Sequence, residues 1–105
     1  MNHYVYIMTN KNNRVIYIGV TNNLDERVKE HKSRTYPNSF TTRYNCDKLV
    51  YFEEFEKSDD ACKRERRFKK WNRAWKIDLI EEMNPNWLDL SDNWNLDLSK
   101  SRLRK

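Results

Sequence analysis

A chain of 105 residues has room for one modest core and too little for two domains, and its 37% hydrophobic and 13% aromatic content makes that core lean on Phe, Trp and Tyr. No window approaches the roughly 18 apolar residues of a membrane span, which excludes a helical membrane protein as the reading of this sequence. Cys46 and Cys62 stand in no metal-ligand or disulfide spacing, and "MNHYVYIM" lacks a basic leader, so the expectation is a soluble, cytoplasmic protein with no membrane partner.

Tyr4 to Met8 and Val15 to Ile18 are β-branched and aromatic runs around "TNKNNR", whose asparagines tolerate turn conformations, so the first element is a β-hairpin. A loop centred near Lys11 and Asn12 pairs positions that sum to 23, which sets Tyr6 opposite Tyr17. Val5, Ile7, Ile16 and Ile18 then share the apolar face, and the tyrosines line the other. Gly19 is the only glycine in the chain. Without a Cβ it lets the backbone bend out of the strand, or lets a ligand approach closely.

Asn22 or Asn23 caps the next element, a helix from about Leu24 to Arg34 with Asp25 and Glu26 in its first turn. Leu24, Arg27, Val28 and His31 recur at helical spacing, so a guanidinium and an imidazole lie along the stripe that packs inward. "TYPNSFTTRYNCD" reads as a loop with aromatic anchors, and "KLVYFEEFE" as the third strand. Ser58 or Asp59 caps a helix running to about Trp71, and "NRAWKIDLIEEM" forms a last helix that stops before Pro85. The expected fold is an α/β domain over 1–90, a small three-stranded antiparallel sheet flanked by helices, with a loosely held polar tail over 91–105.

Charge is concentrated late in the chain. Residues 57–76 carry nine basic and three acidic side chains, 77–98 carry none and six, and 99–105 carry four and none. The basic block fits a polyanion-binding face through Lys63, Arg66, Arg67, Lys70 and Arg73, or a solvated helix face. Glu65 is the lone acid between Ala61 and Lys76 and points away from Lys63, Arg66, Arg67 and Lys70. Two tyrosines on one sheet face, an Arg and a His on an inward stripe, and one carboxylate on another helix supply the parts for phosphodiester hydrolysis. They are a proton acceptor, a cation for charge developing on phosphorus, and a hard oxygen ligand for Mg²⁺.

The same residues resemble a known family. "YVYI" at Tyr4 to Ile7, "YIG" at Tyr17 to Gly19 and "TNNLDERVKEH" from Thr21 to His31 resemble the GIY-YIG nuclease signature and the arginine helix that follows it. "ACKRERRFKKW", Ala61 to Trp71, resembles the helix that presents the metal-binding glutamate. The resemblance runs from about His3 to Leu90 and is closest to short single-domain members. It implies a nuclease using Mg²⁺ or Mn²⁺ on DNA or another nucleic acid, with Tyr6, Tyr17, Arg27 and His31 catalytic and Glu65 as metal ligand. Either tyrosine serves as the base, and Gly19 lets strand, helix and phosphate come close. The first triplet is Tyr4-Val5-Tyr6 rather than Gly-Ile-Tyr, and Leu88 stands where many larger members carry an asparagine, with Asn84 and Asn86 nearby. Two rivals are a non-catalytic nucleic-acid-binding module with a vestigial site, and a protein-interaction domain whose basic helix meets an acidic partner.

Overall fold

The computed structural model describes residues 2–94. Its elements are β1 (His3–Thr9), β2 (Ile16–Thr21), α1 (Leu24–Ser33), α2 (Phe40–Arg43), β3 (Lys48–Phe55), α3 (Ser58–Lys70) and α4 (Arg73–Met83). The three strands form one antiparallel sheet in the order β2-β1-β3, the α/β architecture expected from the sequence.

β1 is the centre of the molecule in both directions. It is hydrogen-bonded along both edges, and Val5, Tyr6, Ile7 and Met8 are fully buried. Because strand side chains alternate, its residues feed two cores. On one face Val5, Ile7, Ile18, Val50 and Tyr51 pack against Ala61 and Phe68 of α3 and Ile80 of α4. On the other, Tyr6, Met8 and Leu49 pack against Leu24 and Val28 of α1. The tyrosine-bearing face is therefore a second apolar core rather than a solvated surface. A bulge between Ile7 and Met8 lets Val50 join the first core while Tyr51 and Leu49 keep their places in the ladder.

The hairpin register differs from the expectation. Tyr6 pairs with Gly19 and Met8 with Tyr17, so paired positions sum to 25. The cause is Asn10, whose Oδ1 accepts the backbone N–H groups of Arg14 (2.9 Å) and Val15 (3.0 Å), while Asn13 takes a left-handed φ of 62° and donates to the Asn10 carbonyl. This asparagine-built loop is longer than a tight turn. A slip of two residues preserves the face of every side chain, so Tyr6 and Tyr17 stay on one side as diagonal neighbours.

Capping explains the helix boundaries. Asn23 caps α1 through Glu26 N–H, and Asn72 caps α4 through Trp75 N–H. At α3 the cap position is Lys57, without a side-chain bond, and neither Ser58 nor Asp59 caps. Asp59 and Asp60 in the first turn instead complement the helix dipole. The segment read as a plain loop contains α2, four residues capped by Ser39.

Past Pro85 the chain returns to the sheet. Leu90 N–H donates to the Leu49 carbonyl, Asp89 accepts Leu49 N–H and pairs with Lys32, Ser91 is buried, and Trp94 packs edge-on against Phe52. Residues 95–105 of the expected tail lie outside the described residues. Among the described residues no helix is long and apolar enough to cross a membrane.

Candidate active site

Gly19 belongs to β2, and no glycine has positive φ, so the bend read from the sequence is absent. Its pairing with Tyr6 explains the missing side chain. A Cβ there would lie 2.6 Å from the Tyr6 hydroxyl, 2.7 Å from its ring carbon Cζ and 3.0 Å from the Tyr17 ring. The space a methyl group would take is filled by the phenol. Gly19→Ala therefore forces a fully buried ring to move, and overpacking of this kind costs about 1–3 kcal/mol. An ordinary mid-strand Gly→Ala change stabilises by about 0.5–1 kcal/mol, so the sign of the effect in a urea melt tests the assignment.

Four side chains from three elements meet over this glycine. The Tyr6 and Tyr17 rings are 6.2 Å apart between centroids, and the His31 ring lies 5.7 Å from Tyr6 and 5.6 Å from Tyr17. Arg27, one helical turn before His31, directs Nε at the Tyr6 hydroxyl (3.4 Å) and Nη1 at Glu30 (2.9 Å). The Tyr6 hydroxyl lies 2.9 Å from His31 Nε2, and His31 Nδ1 lies 2.7 Å from Thr41 Oγ1.

The direction of this chain follows from donor chemistry. A guanidinium only donates, so the Tyr6 oxygen accepts from Arg27 and its own hydrogen is free for His31 Nε2. With Nε2 accepting, a neutral imidazole carries its proton on Nδ1 and donates to Thr41, an assignment made from the network. The order is Arg27 to Tyr6 to His31 to Thr41, and each atom has a complementary role.

Charge states agree with that order. Burial, then the neighbouring Arg27 guanidinium, lower the His31 pKa from 6.5 to about 4, which keeps the ring neutral at pH 7. Burial and then Tyr17 push the Tyr6 phenol above its ordinary value, against the opposing pull of Arg27. Arg27 is held still more firmly in its charged form, because its bonds to Tyr6 and Glu30 outweigh its desolvation.

A neutral buried histidine is a stability statement. Its folded pKa lies below the unfolded value, so its contribution is complete above pH 6.5 and is lost as pH falls toward 4. Between pH 7 and 4.5 the wild type should lose about 2–3 kcal/mol more than His31→Gln, because each tenfold difference in proton affinity between the folded and unfolded chain is worth about 1.36 kcal/mol. Urea melts of both proteins at the two pH values measure the difference.

Glu65 is presented by α3, which covers the sheet face opposite the tyrosines and packs against β1, β2 and β3. Its carboxylate is largely buried and accepts the Lys69 ammonium at 2.8 Å, so it forms no hydrogen bond to the four clustered residues. Lys63, Arg66, Arg67, Lys70 and Arg73 are exposed, and Arg73 donates to the Asn13 carbonyl. Arg64 instead turns inward, paired bidentately with Glu53 over the Phe68 ring. Among the described residues no group of three or more His, Cys, Asp and Glu side chains forms a metal cluster. A single carboxylate such as Glu65 fits a divalent cation that takes one or two carboxylates and keeps several waters, as Mg²⁺ does.

Asn84 is buried and fully used by its own loop and by β3. Its amide donates to the Val50 and Leu88 carbonyls, and its oxygen accepts Leu88 N–H. Thr41 is not visible from sequence, because a four-residue helix has no period to reveal it. The only local signal is the Ser39 cap in an otherwise irregular stretch.

Comparison with known proteins agrees with the fold and with the family resemblance of the sequence. The model of the GIY-YIG catalytic domain matches residues 2–78. A UPF0213 protein of Syntrophus aciditrophicus is 36% identical over 79% of this chain and 93% of its own, and a UPF0213 protein of Clostridium perfringens is 41% identical over 74% and 82%. The solution NMR structure of a UPF0213 protein from Bacillus halodurans superposes with a TM-score of 0.55 at 28% identity, covering 89% of this chain and 98% of that one.

Proposed function

Since the chain belongs to the GIY-YIG catalytic domain family, which implies nuclease-type activity, we propose that it is a divalent-cation-dependent endonuclease hydrolysing phosphodiester bonds in DNA. The observation that carries the reading is the directed chain from Arg27 through Tyr6 and His31 to Thr41.

Tyr17, half-buried beside the fully buried Tyr6, orients the attacking water. As that water loses its proton, the Tyr6 oxygen takes it up and passes its own hydrogen to His31 Nε2, which is neutral and free to accept. The resulting imidazolium keeps its Nδ1–H bond to Thr41. As the water oxygen bonds to phosphorus, the P–O bond to the leaving oxygen breaks, and that oxygen takes a proton from solvent. A phenol that is hard to ionise works here because it never holds a full negative charge; it relays. Arg27 stands over the reacting phosphate, where its fixed charge balances the negative charge that builds on the non-bridging oxygens. Glu65 is the carboxylate that would hold a Mg²⁺ or Mn²⁺ ion, in place of its pair with Lys69. When bound, the ion supplies Lewis acidity at the phosphate.

Lys63, Arg66, Arg67, Lys70 and Arg73 give a separate sequence-independent grip on phosphates, and the two free cysteines suit a reducing cytoplasm. The test is incubation of the pure protein with supercoiled plasmid and with oligonucleotides, in Mg²⁺ and in chelator. Cleavage in Mg²⁺ alone is expected. Binding without cleavage in any divalent metal would make the chain a binding module with a vestigial site.

A further inference from the structure

The stretch between α1 and β3 exposes aromatic rings that the hydrolytic chemistry does not use. Tyr36, Phe40 and Tyr44 are 51%, 45% and 45% exposed, within an otherwise polar run. They are not scattered. Phe40 stacks on Tyr17 with centroids 5.8 Å apart and planes 29° apart, and Tyr44 lies 4.7 Å beyond Phe40. Arg27 lies 5.8 Å from the centre of the Tyr36 ring, and Arg43 lies 5.9 Å from that of Tyr44.

The cause is local. The Ser39 cap and the bond from His31 to Thr41 fix α2 on the protein body by its polar side. Residues 40 and 44, four apart, then share the outer side of that turn. A packing role alone would bury these rings; instead Phe40 and Tyr44 continue outward from Tyr17 with Arg43 beside Tyr44, and Tyr36 stands exposed beside Arg27.

We propose that Tyr36, Phe40 and Tyr44 form a stacking platform for unpaired bases, so that the strand cut beside Tyr17 is single-stranded DNA. The proposal rests on the nuclease reading and adds its substrate class. Aromatic rings take bases by their faces, and arginines at the margins meet the phosphates between them. A duplex keeps its base faces stacked inside and offers only phosphates, to which a phenyl ring contributes nothing.

Binding is measured by fluorescence anisotropy in chelator, at 150 mM salt as about the physiological level, with a single strand and a duplex of one sequence. Wild type should bind the single strand at least about tenfold tighter and quench 2-aminopurine placed in it. Tyr44→Ala should weaken single-strand binding by at least about fivefold, the low end for one lost base stack, and leave duplex binding unchanged. Tyr44→Trp should restore it, and thermal melts confirm that both variants are folded. Equal or tighter duplex binding, or single-strand affinity unmoved by both Tyr44→Ala and Tyr36→Ala, overturns the platform. Because the assay needs no cleavage, platform binding by a protein that never cuts in Mg²⁺ overturns the nuclease reading alone. Cleavage of duplex unaffected by the alanine variants overturns the platform alone.

Discussion

Glu65→Gln is expected to lower cleavage by more than about a hundredfold while nucleic-acid binding survives or tightens. The substitution keeps the shape of the side chain and removes the one anionic oxygen assigned to the metal; disturbing even the partners behind a metal ligand costs roughly 10–100-fold. The fold has little at stake. Lys69 is 55% exposed, and a pair with one exposed partner contributes about 0–1 kcal/mol, so Glu65→Gln should melt within about that range of wild type. Binding is not weakened because a negative charge near phosphate has been removed. A folded variant that cuts at the wild-type rate would reduce Glu65 to a helix-face carboxylate and leave the metal without its protein ligand.

Arg27→Ala should lower kcat by about 10²–10³, equivalent to roughly 3–4 kcal/mol, the cost of losing one preorganised electrostatic group. The side chain is placed with unusual care for one that is a third exposed: Tyr6 holds Nε, Glu30 holds Nη1, and the guanidinium lies against Tyr36. The stability change should be smaller, since the partly buried ion pair with Glu30 contributes about 0.2–0.5 kcal/mol and the bond to the Tyr6 hydroxyl about 1 kcal/mol. Arg27→Lys separates charge from geometry. It keeps the cation and loses the planar fork that Tyr6 and Glu30 grip, so most of the loss should remain. Single-turnover rates at saturating DNA distinguish these losses from weaker binding. Rates for Arg27→Lys equal to wild type would mean that charge alone suffices, and that the bond to Tyr6 is incidental.

The inward stripe of Leu24, Arg27, Val28 and His31 was legible because helical periodicity survives even when one member is charged and another is an imidazole. The sheet and its two tyrosines were legible for the same reason with a period of two. What sequence did not disclose were side-chain bonds to backbone and bonds across large separations. Asn10 shifts the hairpin by two residues through hydrogen bonds that leave no pattern, and the shift brings Gly19 rather than Tyr17 opposite Tyr6. Thr41 touches His31 across ten positions from a helix too short to have a moment. Pro37 and the polar residues around Phe40 have the composition of a loop because α2 is held by Ser39 and by the histidine it supports, and not by propensity.

Most enzymes carry their working groups on surface loops that open before the rest of the molecule. Here Tyr6, the tyrosine proposed to handle the proton, sits on β1, bonded to a strand on each side and covered on both faces. Its amide can meet solvent only when the whole ladder comes apart, so native-state hydrogen exchange at Tyr6 should report the global unfolding free energy. Arg27 and the aromatic row belong to outer elements, which exchange through smaller openings. On the proposed reading, the protein divides labour between a chemical centre as durable as its fold and a strand-gripping rim that adjusts without disturbing it.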